Sequence, residues 1–360
     1  ELPFGGLAGA LGRKPVYVAA VAARLVSLAL FLASGQFGGL ALSFAFIGFG
    51  RALRSGTLDA WFLETFRVAA PGVDVQPALA RAHWANAMGL AVGAVVGGLL
   101  PDVFGALALR HGVSVYDVSY GASFWGMLGV LVYTLVAIAE PPRPKHAGAL
   151  VCGFAKVPAV VIEAAGLALR HPTLSLLLAA LALVLMATNP VEVLWPTHLR
   201  PMLDGAFGNT AIGALTAAYF FAIAFGAALS PRISRLVRRR QSVALMLVTG
   251  GLAAGQVALA LHGSVAGFIG VFLVYSVLLG ALETPASTIL HRCVQDRQRS
   301  TTLSLRSLIQ QLGAAIGLVI AGAVAEAWST PVAWILGGLF LAAALVLTGV
   351  LARRLAAEAG

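Results

Sequence analysis

Arg51, Arg54, Asp59 and Glu64 stand within Gly48–Glu64, inside a long apolar run. Charged side chains at membrane depth are costly, and those that occur face a protein interior or a water-filled path. On a helix of about 100° per residue, with Arg51 at the origin, Ser55 falls near 40° and Asp59 near 80°. Arg54 flanks Arg51, and Glu64 points elsewhere. Arg51, Ser55 and Asp59 therefore share one polar stripe. Three roles are open to Asp59. It is a proton carrier whose pKa is raised by burial, a gate that exchanges ion-pair partners, or a fixed partner of Arg51 or Arg13.

The stretch has an echo. Gly56-Thr57-Leu58-Asp59 returns as Gly280-Ala281-Leu282-Glu283, an offset of 224 residues. Tyr275, Leu279 and Glu283 repeat the geometry of Arg51, Ser55 and Asp59. Arg51 and Arg54 map to Tyr275 and Leu278, so Glu283 lacks a cation on its own helix. An unpaired buried carboxylate tends to stay protonated, which makes Glu283 the better proton site. Pro285 follows and frees a backbone carbonyl, which suits a bending helix. A further acid, Glu192, lies in Asn189-Pro190-Val191-Glu192-Val193-Leu194-Trp195. Trp195 reads as an interfacial anchor, and Glu192 either snorkels beside it or contacts solute. Arg24 reads as half of a structural pair with an acid. Asn86 and Gln310 suit interhelical hydrogen bonds.

The elements that must position these groups are membrane spans. The chain has 360 residues, 59% of them hydrophobic and 11% charged, with a mean hydropathy of +0.91. No soluble fold of this size hides that much apolar surface, so the chain reads as an all-α polytopic membrane protein. Runs of about 20 apolar residues predict ten spans, at 15–34, 39–65, 80–101, 119–139, 173–197, 210–229, 242–262, 265–290, 303–327 and 331–352. Basic residues cluster in alternate links, 18 on one side against 2 on the other, which places the 140–172 linker and the C-terminus in the cytoplasm. The formal charge of +10 is thus topological and calls for no nucleic acid. Asp59 falls in the cytoplasmic third of its span, which favours the gate. Within the linker, Phe154–Arg170 carries the pattern of an amphipathic helix on the membrane surface.

The offset of 224 extends beyond the acid pair. Gly89, Gly93 and Gly98 meet Gly313, Gly317 and Gly322; Asn86 meets Gln310, and Lys14 meets Arg238. Both copies run in the same direction, as parallel repeats do in transporters. The second half opens near residue 173. Subtracting the offset predicts one and a half spans ahead of Glu1, hence two six-helix halves at 1–139 and 173–354. No nucleophile lies beside a base, no loop suits a phosphate, and no ligand set has metal spacing. Cys152 and Cys293 do not form a disulfide framework. An enzyme is not indicated, nor a cofactor.

Two six-span halves joined by a basic linker resemble the major facilitator superfamily. Gly5-Gly6-Leu7-Ala8-Gly9-Ala10-Leu11-Gly12-Arg13-Lys14 is similar to that family's cytoplasmic loop motif, with Gly12, Arg13 and Lys14 matching its end and Gly9 replacing its acid. Gly89, Gly93, Gly97 and Gly98 resemble the frame of its antiporter motif, with Ala94 in place of a proline; physically this is a small-residue packing face. Glu163–Leu174 resembles the linker exit of macrolide- and siderophore-type exporters. The resemblance implies that Arg51, Arg54, Ser55, Tyr275 and Glu192 line a substrate cavity, with Asp59 and Glu283 coupling or gating. It implies a monomeric exporter in the plasma membrane, moving a small lipophilic or cationic compound in exchange for protons. The alternatives are an uptake symporter for a small metabolite and a non-transporting sensor or scaffold.

Overall fold

The structure is a computed structural model. It describes residues 12–54, 57–71, 73–138, 162, 166, 170–203, 208–238, 240–294 and 299–358, without the side chains of 59, 60, 63, 64, 76, 80, 83 and 299–301. The described elements are helices: α1 Arg13–Ala33, α2 Phe37–Arg54, α3 Thr57–Ala69, α4 Gln76–Arg110, α5 Asp117–Ala137, α6 Pro172–Leu199, α7 Gly208–Leu236, α8 Gln241–Leu261, α9 Val265–Cys293, α10 Arg299–Ala327 and α11 Thr330–Ala357. Nine of them are long and apolar enough to cross a membrane. The span expected over 39–65 is described as α2 and α3, with Ser55 and Gly56 between them outside the description. Neither piece counts among the nine; Arg51 and Arg54 fill the last turn of α2 and dilute its apolar run. The predicted linker helix falls almost wholly outside the described residues.

Local sequence explains the ends. Gly12 takes φ 94°, a left-handed backbone that glycine adopts at little cost, and α1 starts on the next residue. Prolines open α4, α6 and α11, where the missing N–H costs nothing. The Ser264 hydroxyl accepts from the Gly267 N–H at 3.3 Å and caps α9.

The chain divides into two compact units, Glu1–Met88 with Gly97–Val160, and Val161–Gly360 with Gly89–Val96. In the first, α1 packs antiparallel on α2 and also against α5. The register of α1 on α2 is fixed at two levels. The Ser43 hydroxyl donates to the Ser27 carbonyl at 2.8 Å. Seven residues on, a side chain begun at Gly50 would meet the Ala20 carbonyl oxygen at 2.9 Å and the Ala23 Cβ at 3.4 Å.

In the second unit α6 packs on α10 and α11, and α9 packs on α7 and α8. Glycines permit backbone contact at two crossings. Gly226 of α7 lies against the Val277 carbonyl, while Gly280 of α9 lies against the Ile223 carbonyl. At the other crossing, Gly313 of α10 lies against the Ala182 carbonyl of α6 and Gly317 against that of Met186. Pro190 helps here, because it removes the N–H that would bond Met186. Trp334, Phe268 and Phe272 are the largest fully buried side chains of this unit, each at most 1% exposed.

Candidate functional site

Antiparallel packing of α1 on α2, closed on one side by α5, leaves a cavity of about 540 Å³. Its apolar wall includes Ile47 and Met127, and its polar wall is Tyr17, Arg24, Arg51 and Arg54. The register already described sets their order. Ser43 sits opposite Ser27 and Gly50 opposite Ala20–Ala23, so Arg51 falls level with about Ala20 and Arg54 level with Tyr17. Arg24 lies deepest, roughly 16 Å along α1 from Arg13, close to the middle of a hydrocarbon layer about 30 Å thick. Arg24 is half-buried, and Arg51 and Arg54 are exposed to the cavity side. Among the described residues none of the three makes an ion pair or hydrogen bond. Arg24 lies on the cavity wall, and no described acid pairs with it. Ser55 and the side chains of Asp59 and Glu64, the other members of the predicted stripe, lie outside the described residues.

In the second unit Glu283 is not the unpaired carboxylate expected from its own helix. Arg306 of α10 reaches it, with Nη2 2.6 Å from Oε2. The Ser287 hydroxyl, one turn along α9, donates to Glu283 Oε1 at 2.6 Å and accepts from Arg306 Nη1 at 2.9 Å. Three side chains thus close a ring of charge-assisted bonds. Exposure across it is uneven: the Arg306 side chain is 7% exposed and that of Glu283 is 64% exposed. The Arg306 Nε is buried with no partner. Sequence reasoning searched for a cation on the same helix and found none; the partner comes from a residue at the mouth of the following span.

Tyr275 packs in the core of the second unit. It is 2% exposed, and its hydroxyl donates to Gln256 Oε1 at 3.0 Å. Gln256, fully buried in α8, sends its amide to the Ala187 carbonyl at 3.1 Å and the Trp334 carbonyl at 3.2 Å. This network joins α6, α8, α9 and α11, and no sequence signal beyond one polar residue in an apolar span announced it. Trp195 is likewise no interfacial anchor. It is 3% exposed and packs on Phe272 with ring centroids 4.9 Å apart. Glu192 is exposed and faces the Tyr219 hydroxyl.

Of the loop motif, Arg13 and Lys14 form the first turn of α1, and the Lys14 ammonium donates to the Leu135 carbonyl of α5 at 2.7 Å. The glycine frame behaves differently in its two copies. Gly313 and Gly317 make the close approach to α6, whereas Gly89, Gly93 and Gly97 have nothing within 4 Å of where a side chain would start. Gly98 shares the same helix.

One unit holds six apolar helices with a buried polar network, and the other holds a cavity lined by arginines. Residues 193–359 match the family model of the Major Facilitator Superfamily. The chain is similar in structure to the nucleoside transporter NupG, at TM-score 0.70 and 12% identity over 97% of this chain and 87% of that one. It is also similar to a bacterial homologue of the human lysosomal transporter Spinster, at TM-score 0.62 and 14% identity over 95% and 83%. A peptide-bound transporter of the POT family gives TM-score 0.62 and 13% identity over 94% and 80%. No curated protein sequence matches. The chain has the major facilitator fold.

Proposed function

We propose that this protein is a secondary active transporter that exports a small solute in exchange for protons. Alternating access would proceed by rocking of the two six-helix halves, with the linker and C-terminus in the cytoplasm and the monomer as the working form in the plasma membrane. The observation that carries the reading is the Glu283–Arg306–Ser287 ring. A carboxylate open to solvent holds a cation that is buried. Protonation of Glu283 removes the countercharge from Arg306, and a buried cation without one is strongly disfavoured. A proton therefore biases the position of α10 against α9, which is the kind of element a coupled transporter needs. Export rather than uptake rests on sequence resemblance alone, that of Gly89, Gly93, Gly97 and Gly98 to the family's antiporter motif.

The experiment uses inverted membrane vesicles containing the protein and energised to an acidic interior. The pH-sensitive dye 9-amino-6-chloro-2-methoxyacridine reports the gradient while a panel of anionic, neutral and cationic compounds is added. Export by antiport predicts that at least one compound class discharges the gradient in these vesicles and not in controls. A panel that leaves the gradient intact throughout contradicts proton exchange.

A further inference from the structure

We infer that a cavity at the basic end of the second unit, between α8, α9 and α11, holds the headgroup of an anionic phospholipid. The helices of this unit, α6 to α11, are all described. α8 packs along both α9 and α11, and the small side chains of Ala352 and Ala356 help leave a space of about 390 Å³ between the ends of the three. Two arginines from different helices line it: Arg240, which caps the start of α8, and Arg292, in the last turn of α9. Among the described residues neither side chain makes an ion pair or hydrogen bond. Glu358, an acid at this end, is already engaged, by Arg354 at 3.2 Å and by the Thr173 hydroxyl at 3.5 Å. Topology asks for basic links but not for this pair. At the offset of 224, Arg240 and Arg292 meet Val16 and Val68, so the repeat supplies matching helices in α1 and α3 without the two charges.

The lining has the chemistry of a phosphodiester site. Two guanidiniums give paired donors to phosphate oxygens. The first-turn N–H groups of Gln241 and Ser242, which also line the cavity and have no partner inside α8, add to them. Ile289 and Leu355 on the same wall suit the glycerol-ester end of a lipid, and a soluble phosphate has no use for them. A choline or ethanolamine headgroup would set its own cation against Arg240 and Arg292, which favours an anionic lipid. Arg235, Arg238 and Arg353, exposed at the same end, draw such a lipid toward it. The inference needs the membrane fold and not proton exchange.

The test is lipid binding to the intact protein in detergent, read by native mass spectrometry during titration with dioctanoyl phosphatidylglycerol, dioctanoyl phosphatidylcholine or glycerophosphate. The expected result is phosphatidylglycerol binding at least about fivefold tighter than phosphatidylcholine, with glycerophosphate weaker than the anionic lipid. Arg240→Gln and Arg292→Gln should each weaken phosphatidylglycerol binding by about fivefold and leave phosphatidylcholine unchanged. Arg292→Lys should retain most of it, and Arg353→Gln, the same loss of charge outside the cavity, should change it little; melting temperature shows that each variant is folded. Cys293, half-buried on the cavity wall, reports the place. In Cys152→Ser protein, phosphatidylglycerol should slow alkylation of Cys293 by N-ethylmaleimide, and phosphatidylcholine should not. Equal binding of the two lipids, glycerophosphate binding as tightly as phosphatidylglycerol, or binding unchanged in both glutamine variants overturns the proposal. An equal loss in Arg353→Gln, or Cys293 alkylated at the same rate with phosphatidylglycerol present, does so too. A protein that binds the lipid as expected but exchanges no protons would count against the transport reading and leave the lipid site standing.

Discussion

Arg306 and Glu283 are joined at 2.6 Å across α9 and α10, with the cation 7% exposed and the acid 64% exposed. The two partners are therefore not equivalent. Water screens the carboxylate when its partner is removed, while the guanidinium has no such recourse.

That asymmetry is measurable as stability. Glu283→Gln leaves the Arg306 guanidinium buried without its countercharge and should cost about 1–3 kcal/mol. Arg306→Met leaves an acid facing solvent and should cost less. Unfolding of each purified variant by denaturant in detergent, with the double variant, closes a mutant cycle. Equal costs for the two single changes would show that the ring is symmetric and that burial of Arg306 has no weight.

The Gln256 network gives a second expectation. Gln256→Leu strands the Tyr275 hydroxyl in a site that is 2% exposed and should cost about 1–3 kcal/mol. Adding Tyr275→Phe removes the stranded donor and should recover part of the loss. The check is a melting curve for the single and double variants side by side. A double variant less stable than the sum of its parts would contradict the assignment.

The two glycine frames should respond oppositely. Gly317 lies against the Met186 carbonyl, so Gly317→Val forces α10 off α6 and should abolish a monodisperse peak in size-exclusion chromatography. Gly93 has nothing within 4 Å, and Gly93→Ala should be neutral or stabilise by a few tenths up to about 1 kcal/mol through helix propensity. Equal tolerance at the two sites would show that the contrast between the frames is not real.

Much of the helical order was legible because apolar length and alternating basic links report on membrane spans directly. Nine of the ten predicted spans correspond to long apolar helices. The exception, 39–65, is where charge enters the run. The candidate site was less legible, for a physical reason. Helical periodicity relates residues on one helix, and the decisive contacts here cross between helices. Glu283 could be seen to lack a cation at i±3 or i±4, but Arg306 lies 23 positions away on α10. Tyr275 shares a face with Glu283 by spacing, yet packing against α8 buries one and leaves the other open. Arg24 was visible as a charge within an apolar span and was read as half of an ion pair, and its place beside Arg51 and Arg54 needed the register that Ser27, Ser43 and Gly50 impose.

The central claim is that Glu283 carries the coupling proton by releasing Arg306. The most direct measurement follows the imposed pH gradient in vesicles containing wild-type or Glu283→Gln protein, with the compound that discharges it in the wild type. The account predicts that Glu283→Gln, fixed in the neutral form, loses compound-driven proton movement while solute exchange in the absence of a gradient persists. Full proton movement in that variant, with the pH dependence of the wild type, would contradict it.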